Sequence, residues 1–199
     1  MLPLLWVVSR DALAIDLLLG VPMRSDPFAA FTTEIANGVP VSEDVDVQPG
    51  FRGELSAAIP FHDLASTAQW IVDVGFREWM GTAADFRFAA HEPRADVGIH
   101  LDPKREEAVH AYGAIGVGVI ASIVTSSEWR TYALVSPHAF LAVGVAFGGD
   151  TCGLVELRVS PVLRDDTFTR ETLVEHGSGG LRFSPGGAAT TIAAGLRFP

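Results

Sequence analysis

Ala108 to Ser127 reads AVHAYGAIGVGVIASIVTSS, twenty residues without an Asp, Glu, Lys or Arg. A run of this length and polarity can be a membrane-spanning helix or the buried helix of a globular core, and the choice decides the fold. His110, the glycines at 113, 116 and 118 and the hydroxyls near its end argue against the span. Just upstream, Asp102 and Pro103 form an N-cap and first-position pair, and Glu106 and Glu107 fall where a helix dipole favours anions. Val109, Tyr112, Ile115, Val119 and Ile123 then recur at helical spacing. A buried core helix is expected here. Its glycines each cost about 1 kcal/mol of helix propensity relative to Ala and suit a backbone packed closely on a sheet.

Upstream, Leu2–Val8 is expected to be a strand and Arg10–Leu19 a helix capped by Ser9 and stopped at Gly20. Asp26 and Pro27 open a second helix through Phe28, Phe31 and Ile35, which Asn37 and Gly38 end. Residues 39–59 are broken by Pro40, Pro49, Gly50 and Gly53 into short extended pieces. Leu64, Ala68, Ile71, Val72, Gly75 and Trp79 form one stripe, predicting an amphipathic helix over Asp63–Met80. Short strands are expected at Asp85–Ala90 and Arg94–His100.

Downstream, residues 129–136, 139–147 and 152–159 have β character, and Gly148-Gly149-Asp150 is a hairpin turn between the last two. The sequence GLRF occurs at 180–183 and at 195–198, suggesting two arms of a terminal hairpin. Together these assignments predict a single α+β domain over residues 1–199. Its helices would pack on a mainly antiparallel sheet concentrated in the C-terminal third.

The chain has 199 residues, 48% hydrophobic and 19% charged, which fits one domain able to bury its own core. A formal charge of −10 opposes docking on nucleic acid or anionic lipid. A lone cysteine, Cys152, and an opening MLPLLWVV with no preceding basic residue lead to the expectation of a cytoplasmic protein without a membrane partner.

Residues 91–110 hold the richest set of chemistry-bearing side chains. His100 and Asp102 share a face if the strand continues, and Glu107 and His110 lie i and i+3 on the helix expected next. Imidazoles and carboxylates so spaced can hold a metal ion or exchange a proton, which makes His100, Asp102, Glu107 and His110 the candidate catalytic or metal-binding residues. Helix capping accounts for Asp102 and the glutamates equally well. Cys152 and His138 can meet only if their strands form one hairpin. The letters of a dinucleotide fingerprint at Gly116–Ala121 fall inside the expected helix, where that motif has no function. No cofactor is named by any motif.

The acidic run Glu43, Asp44 and Asp46, with Trp70 beside a helix's apolar face, supplies a candidate contact surface for a basic protein partner. An intracellular acidic protein-binding domain, neutralising or scaffolding such a partner, is the leading functional expectation. Small acidic single domains of this kind include toxin-neutralising immunity proteins, a parallel of charge and size only. The alternatives are a metal-dependent or acid–base enzyme built on the 91–110 cluster, and a structural subunit of a homo-oligomer.

Overall fold

The computed structural model describes residues 15–24, 29–36, 39–45, 47–83, 86–102, 107–126, 131–149, 151–162, 179–184 and 187–198. Among them there is no helix. The chain runs through β1 (Ile15–Arg24), β2 (Ala29–Ala36), β3 (Val39–Val45), β4 (Val47–Ala65), β5 (Ala68–Ala83) and β6 (Phe86–Leu101). It continues through β7 (Val109–Ser126), β8 (Tyr132–Gly148), β9 (Cys152–Val162), β10 (Gly179–Ser184) and β11 (Gly187–Phe198). Eight of these strands close into a barrel in the order β1-β11-β9-β8-β7-β6-β5-β4, and β10-β2-β3 form a separate three-stranded sheet. Every pairing is antiparallel.

The two ends of the barrel differ. At one end, β4 turns into β5 through residues 66–67, β6 into β7 through 102–108, and β8 into β9 through 149–151. At the other end lie the long connections that carry β2, β3 and β10. We call these the turn end and the loop end. Gly148 closes the third short turn at φ 132°, a backbone conformation that favours glycine.

The expected α+β fold is thus replaced by an all-β one, and the reason lies in side-chain size. In β7 the lumen side carries His110, Tyr112, Ala114, Gly116, Ile120, Ser122 and Val124, all buried, while Ile115, Val117 and Val119 face outward. Beyond Tyr112 both faces are therefore apolar or small, and the two-residue alternation is hidden behind an accidental helical stripe. The stripe itself is split by the strand: Tyr112 points inward, whereas Val109, Ile115 and Val119 point out.

The other expected helices fail in the same way. Asp63–Met80 is the end of β4, a turn and most of β5, with Ile71 and Trp79 inside the barrel and Val74 and Phe76 outside. Ile15–Leu19 belongs to β1, and Phe31 and Ile35 lie on β2. The first residues of both expected helices, and the strand expected at 2–8, lie outside the described residues. The two GLRF copies do not pair: Gly180–Phe183 pairs with β2, and Gly195–Phe198 joins the barrel between β1 and β9.

Candidate functional site

The barrel interior is the place where charge is concentrated. Strands contribute it through alternate positions: Glu54 and Ser56 on β4, Asp73 and Arg77 on β5, Glu92, Arg94 and Asp96 on β6, Glu156, Arg158 and Ser160 on β9, all buried. Each of these residues is flanked by neighbours that turn to the opposite face, as the two-residue period of a strand requires. Among the described residues, the buried set has seven carboxylates, four arginines and three histidines. With neutral imidazoles it carries three more negative than positive charges. A low-dielectric interior tolerates such charges only where they are paired and hydrogen-bonded.

They are paired in three tiers. Nearest the loop end, Arg77 Nε donates to Glu54 (3.1 Å), Thr191 Oγ1 donates to the same carboxylate (2.6 Å), and Glu92 accepts from Trp79 Nε1 (2.8 Å) and Ser122 Oγ (3.1 Å). In the middle, Arg94 Nη1 donates to Asp73 (2.6 Å) and Asp96 (2.7 Å), and its Nη2 to Glu54 (3.2 Å). Arg158 bonds Asp73 (2.8 Å) and Glu156 (2.9 Å), and its guanidinium lies 4.6 Å from the centre of the Phe140 ring. At the turn end, Arg197 grips both oxygens of Asp16 (2.6 and 2.9 Å) and donates to Asp102 Oδ2 (2.8 Å). These groups and the buried rings of Phe140, Trp79 and Tyr112 fill the lumen with side chains, as the narrow interior of an eight-stranded barrel permits.

The sequence-level candidates fall as follows. His100, Asp102 and His110 do meet, at the turn end. Arg197 joins the first two, with Nη2 3.3 Å from His100 Nε2, and His110 Nε2 lies 3.2 Å from Asp102 Oδ2. Glu107 is exposed, and its backbone oxygen accepts from His110 Nδ1 at 2.8 Å. No group of three or more His, Cys, Asp and Glu side chains among the described residues is arranged to hold a metal ion. A shallow pocket opens here, lined by Asp16, Gln69, His100, Asp102 and Arg197 over Ala58, Pro60 and Ile71.

Cys152 is buried at the turn end, its Sγ donating to the Gly149 oxygen (2.7 Å), while His138 sits opposite Val162 at the other end of β9. The two do not converge. Glu43 and Asp44 lie on β3, opposite Thr32 and Phe31, whereas Trp70 lies beside the 66–67 turn at the far end of the barrel. Asp46 lies outside the described residues. The acidic run and Trp70 therefore do not form one surface.

What sequence reasoning missed is the set Asp16, Glu54, Asp73, Arg77, Arg94, Arg158 and Arg197. A signal for it exists. In Glu92-Pro-Arg94-Ala-Asp96 and Glu156-Leu-Arg158-Val-Ser160, polar residues recur at every second position between apolar or small ones.

The barrel's outside is the converse. Leu17, Leu19, Val21, Leu55, Val97, Ile115, Val117, Leu141, Val143, Leu157 and Ile192 are all exposed, and among the described residues no element covers them. Phe61, Phe147 and Phe198 are exposed near the turn end, on the strand ends where Trp70 is half-buried. Such a surface far exceeds the few hundred Å² of contiguous apolar patch that water-soluble monomers expose. Apolar residues outside and paired charges inside reverse the arrangement of a water-soluble protein and are what a lipid-spanning β-barrel requires.

No family model and no curated protein matches the sequence. Solved structures do match the fold. The outer membrane protein OprG from Pseudomonas aeruginosa aligns over 94% of this chain and 96% of its own, with a TM-score of 0.58 at 9% identity. AlkL, an outer membrane protein determined in DMPC bilayers, aligns over 94% and 89% at 11% identity with a TM-score of 0.49. Neisserial surface protein A aligns over 93% and 97% at 11% identity with a TM-score of 0.47. The OprG likeness and the apolar exterior overturn the expectation of an intracellular protein-binding domain, cytoplasmic and without a membrane partner. A net negative charge was a poor guide because seven carboxylates and four arginines lie inside the barrel, where they do not meet the lipid, and the outer wall is apolar.

Proposed function

We propose that the chain is an outer-membrane β-barrel which spans the bilayer as an occluded cylinder and holds the β2-β3-β10 sheet at its loop end. The observation that carries this is the inversion of polarity: the barrel wall exposes apolar side chains, while buried arginines and carboxylates bond one another across the lumen. In hydrocarbon a strand's backbone groups must all be satisfied, and a closed antiparallel barrel satisfies them. The β7 run in which helix and span were weighed is one wall strand, crossing by extension instead of by helix.

The lumen is sealed by side chains, so the barrel acts as a membrane-anchored support and not as a solute channel. Opening a path would break bonds from Arg94 to three carboxylates and from Arg158 to two. Reconstitution of the full chain into lipid vesicles tests both halves. The expected result is a folded species resistant to cold SDS, in vesicles that retain entrapped small sugars and ions. Failure to partition into the vesicles would refute the membrane assignment, and rapid leakage from vesicles holding the folded protein would refute the occluded lumen.

A further inference from the structure

On the reading that the barrel spans the bilayer, we infer that the outer wall of β5 and β6 at the loop end is the surface that meets lipid headgroups. Glu78 and His91 mark the edge of the hydrocarbon, and Arg87 above them binds a lipid phosphate. Among the described residues, these three are the ionisable side chains that face outward from the barrel wall between Trp70 and the loop end, and they lie on neighbouring strands. The register sets Glu78 directly opposite His91, with Glu78 Oε1 3.8 Å from His91 Nδ1 and both side chains partly exposed. Apolar groups surround the pair. The Phe76 ring stacks on that of His91, 6.2 Å between centroids, and Phe51 is exposed on β4 and folds over Gly53, the residue paired with Glu78.

Strand geometry gives the depth. At about 3.3 Å per residue and a tilt of about 40°, the chain rises about 20 Å from Trp70 to Glu78 and about 25 Å from Leu101 to His91. The apolar band of an outer-membrane barrel is about 25 Å tall. With Trp70 and Leu101 at the turn-end margin, Glu78 and His91 stand at the opposite one, where an ionisable side chain reaches headgroups and water. Below them the wall is apolar, with Val74 and Phe76 on β5 and Ala95 and Val97 on β6. Above them, past Met80, it turns polar. Arg87 is exposed on the same face as His91, about 10 Å higher, and pairs with Thr82, while Thr125 on β7 pairs with Ala89 between them. A guanidinium at that height is within side-chain reach of the phosphates, whose oxygens suit its fork of donors.

The test puts nitroxide labels on the full chain in phosphatidylcholine vesicles, one at a time, at Ala95→Cys, His91→Cys and Ala89→Cys. The background is Cys152→Ser, which keeps a donor to the Gly149 oxygen. Collisions with oxygen, which concentrates in hydrocarbon, are compared with collisions with a water-soluble nickel chelate. The label at 95 should favour oxygen and the label at 89 the chelate, with the crossover at 91. A label at 89 as shielded from the chelate as the one at 95 would overturn the margin and leave the membrane assignment standing. A label at 95 open to the chelate would refute both. Solid-state NMR of the unlabelled protein in the same vesicles reads the phosphate contact: the arginine Cζ signal that Arg87→Gln removes should be dephased by lipid phosphorus. No such coupling, with the label at 89 in the headgroup layer, would overturn the phosphate contact.

Discussion

His138 and Asp96 stand two strands apart and are joined by a 2.9 Å hydrogen bond that passes over Gly118 of the strand between them. The register sets Gly118 directly between the two, opposite Asp96 on β6 and His138 on β8. A Cβ at 118 would run into the Ala95 backbone oxygen and stand 2.6 Å from Asp96 Cα and Oδ1, closer than real contacts allow. Gly118→Val should therefore disrupt the pair as well as overpack the lumen, costing about 3 kcal/mol or more. Gly113→Ala is the matched control, since its Cβ would meet only the Ala142 oxygen, at an ordinary 3.5 Å, and should cost less than about 1 kcal/mol. Urea midpoints of the folded barrel in micelles give the comparison, and equal losses would show that Gly118 is not a seat for the pair.

Arg94 is the hub of the middle tier, bonded to Asp73, Asp96 and Glu54, with its side chain fully buried. Arg94→Met keeps most of its volume but leaves three carboxylates short of a partner, and a loss of about 3–5 kcal/mol is expected. Adding Asp96→Asn removes one of the orphaned charges and should recover part of that loss, because the penalty comes from uncompensated charge more than from missing contacts. A double variant no more stable than Arg94→Met alone would mean that packing, not charge, dominates at this site.

The inversion of polarity explains why some of this was legible in the sequence and some was not. The strands after residue 129 are rich in Val, Phe and Leu, and the turn at Gly148 follows from local residue types. His100, Asp102 and His110 were close enough in sequence to be suspected of meeting. The lumen tiers were hidden because their members come from strands far apart in the chain: Arg197 meets Asp16 across almost its whole length. β7 was hidden for a different reason: beyond Tyr112 its lumen positions are Ala114, Gly116, Gly118, Ile120, Ser122 and Val124, so no polar alternation survives. Trp79, assigned to an apolar helical stripe, is instead a lumen residue whose indole nitrogen serves Glu92.

Val117 tests the outer wall. It is 63% exposed, sits in the middle of β7 and pairs with Val97 and Ala139, which also face outward. In lipid, Val117→Arg should destabilise the barrel by about 2–4 kcal/mol, the cost of an arginine near the bilayer midplane. The same change at Val109, equally exposed but the first residue of the strand at the turn end, should cost about 0–1 kcal/mol. Folding free energies in phosphatidylcholine vesicles measure the difference, and a wall that faces water would show no dependence on position.

Trp70 and Trp79 lie on one strand but on opposite faces of it, Trp70 outward near the turn end and Trp79 inward against Glu92. A tryptophan at the margin of an apolar band sits where hydrocarbon meets headgroups, because its ring is apolar and its N–H is not. Lipids carrying bromine on the acyl chain quench only indoles that touch them. Trp70→Phe should therefore remove a substantial share of the quenching in vesicles, and Trp79→Phe should remove almost none. Bromine placed near the carboxyl end of the chain should quench Trp70 more strongly than bromine near the terminal methyl, because the residue is beside the 66–67 turn and not in the middle of the wall. Quenching that is unchanged in Trp70→Phe, or stronger from the terminal methyl, would move the lower edge of the lipid band away from this ring of aromatic residues.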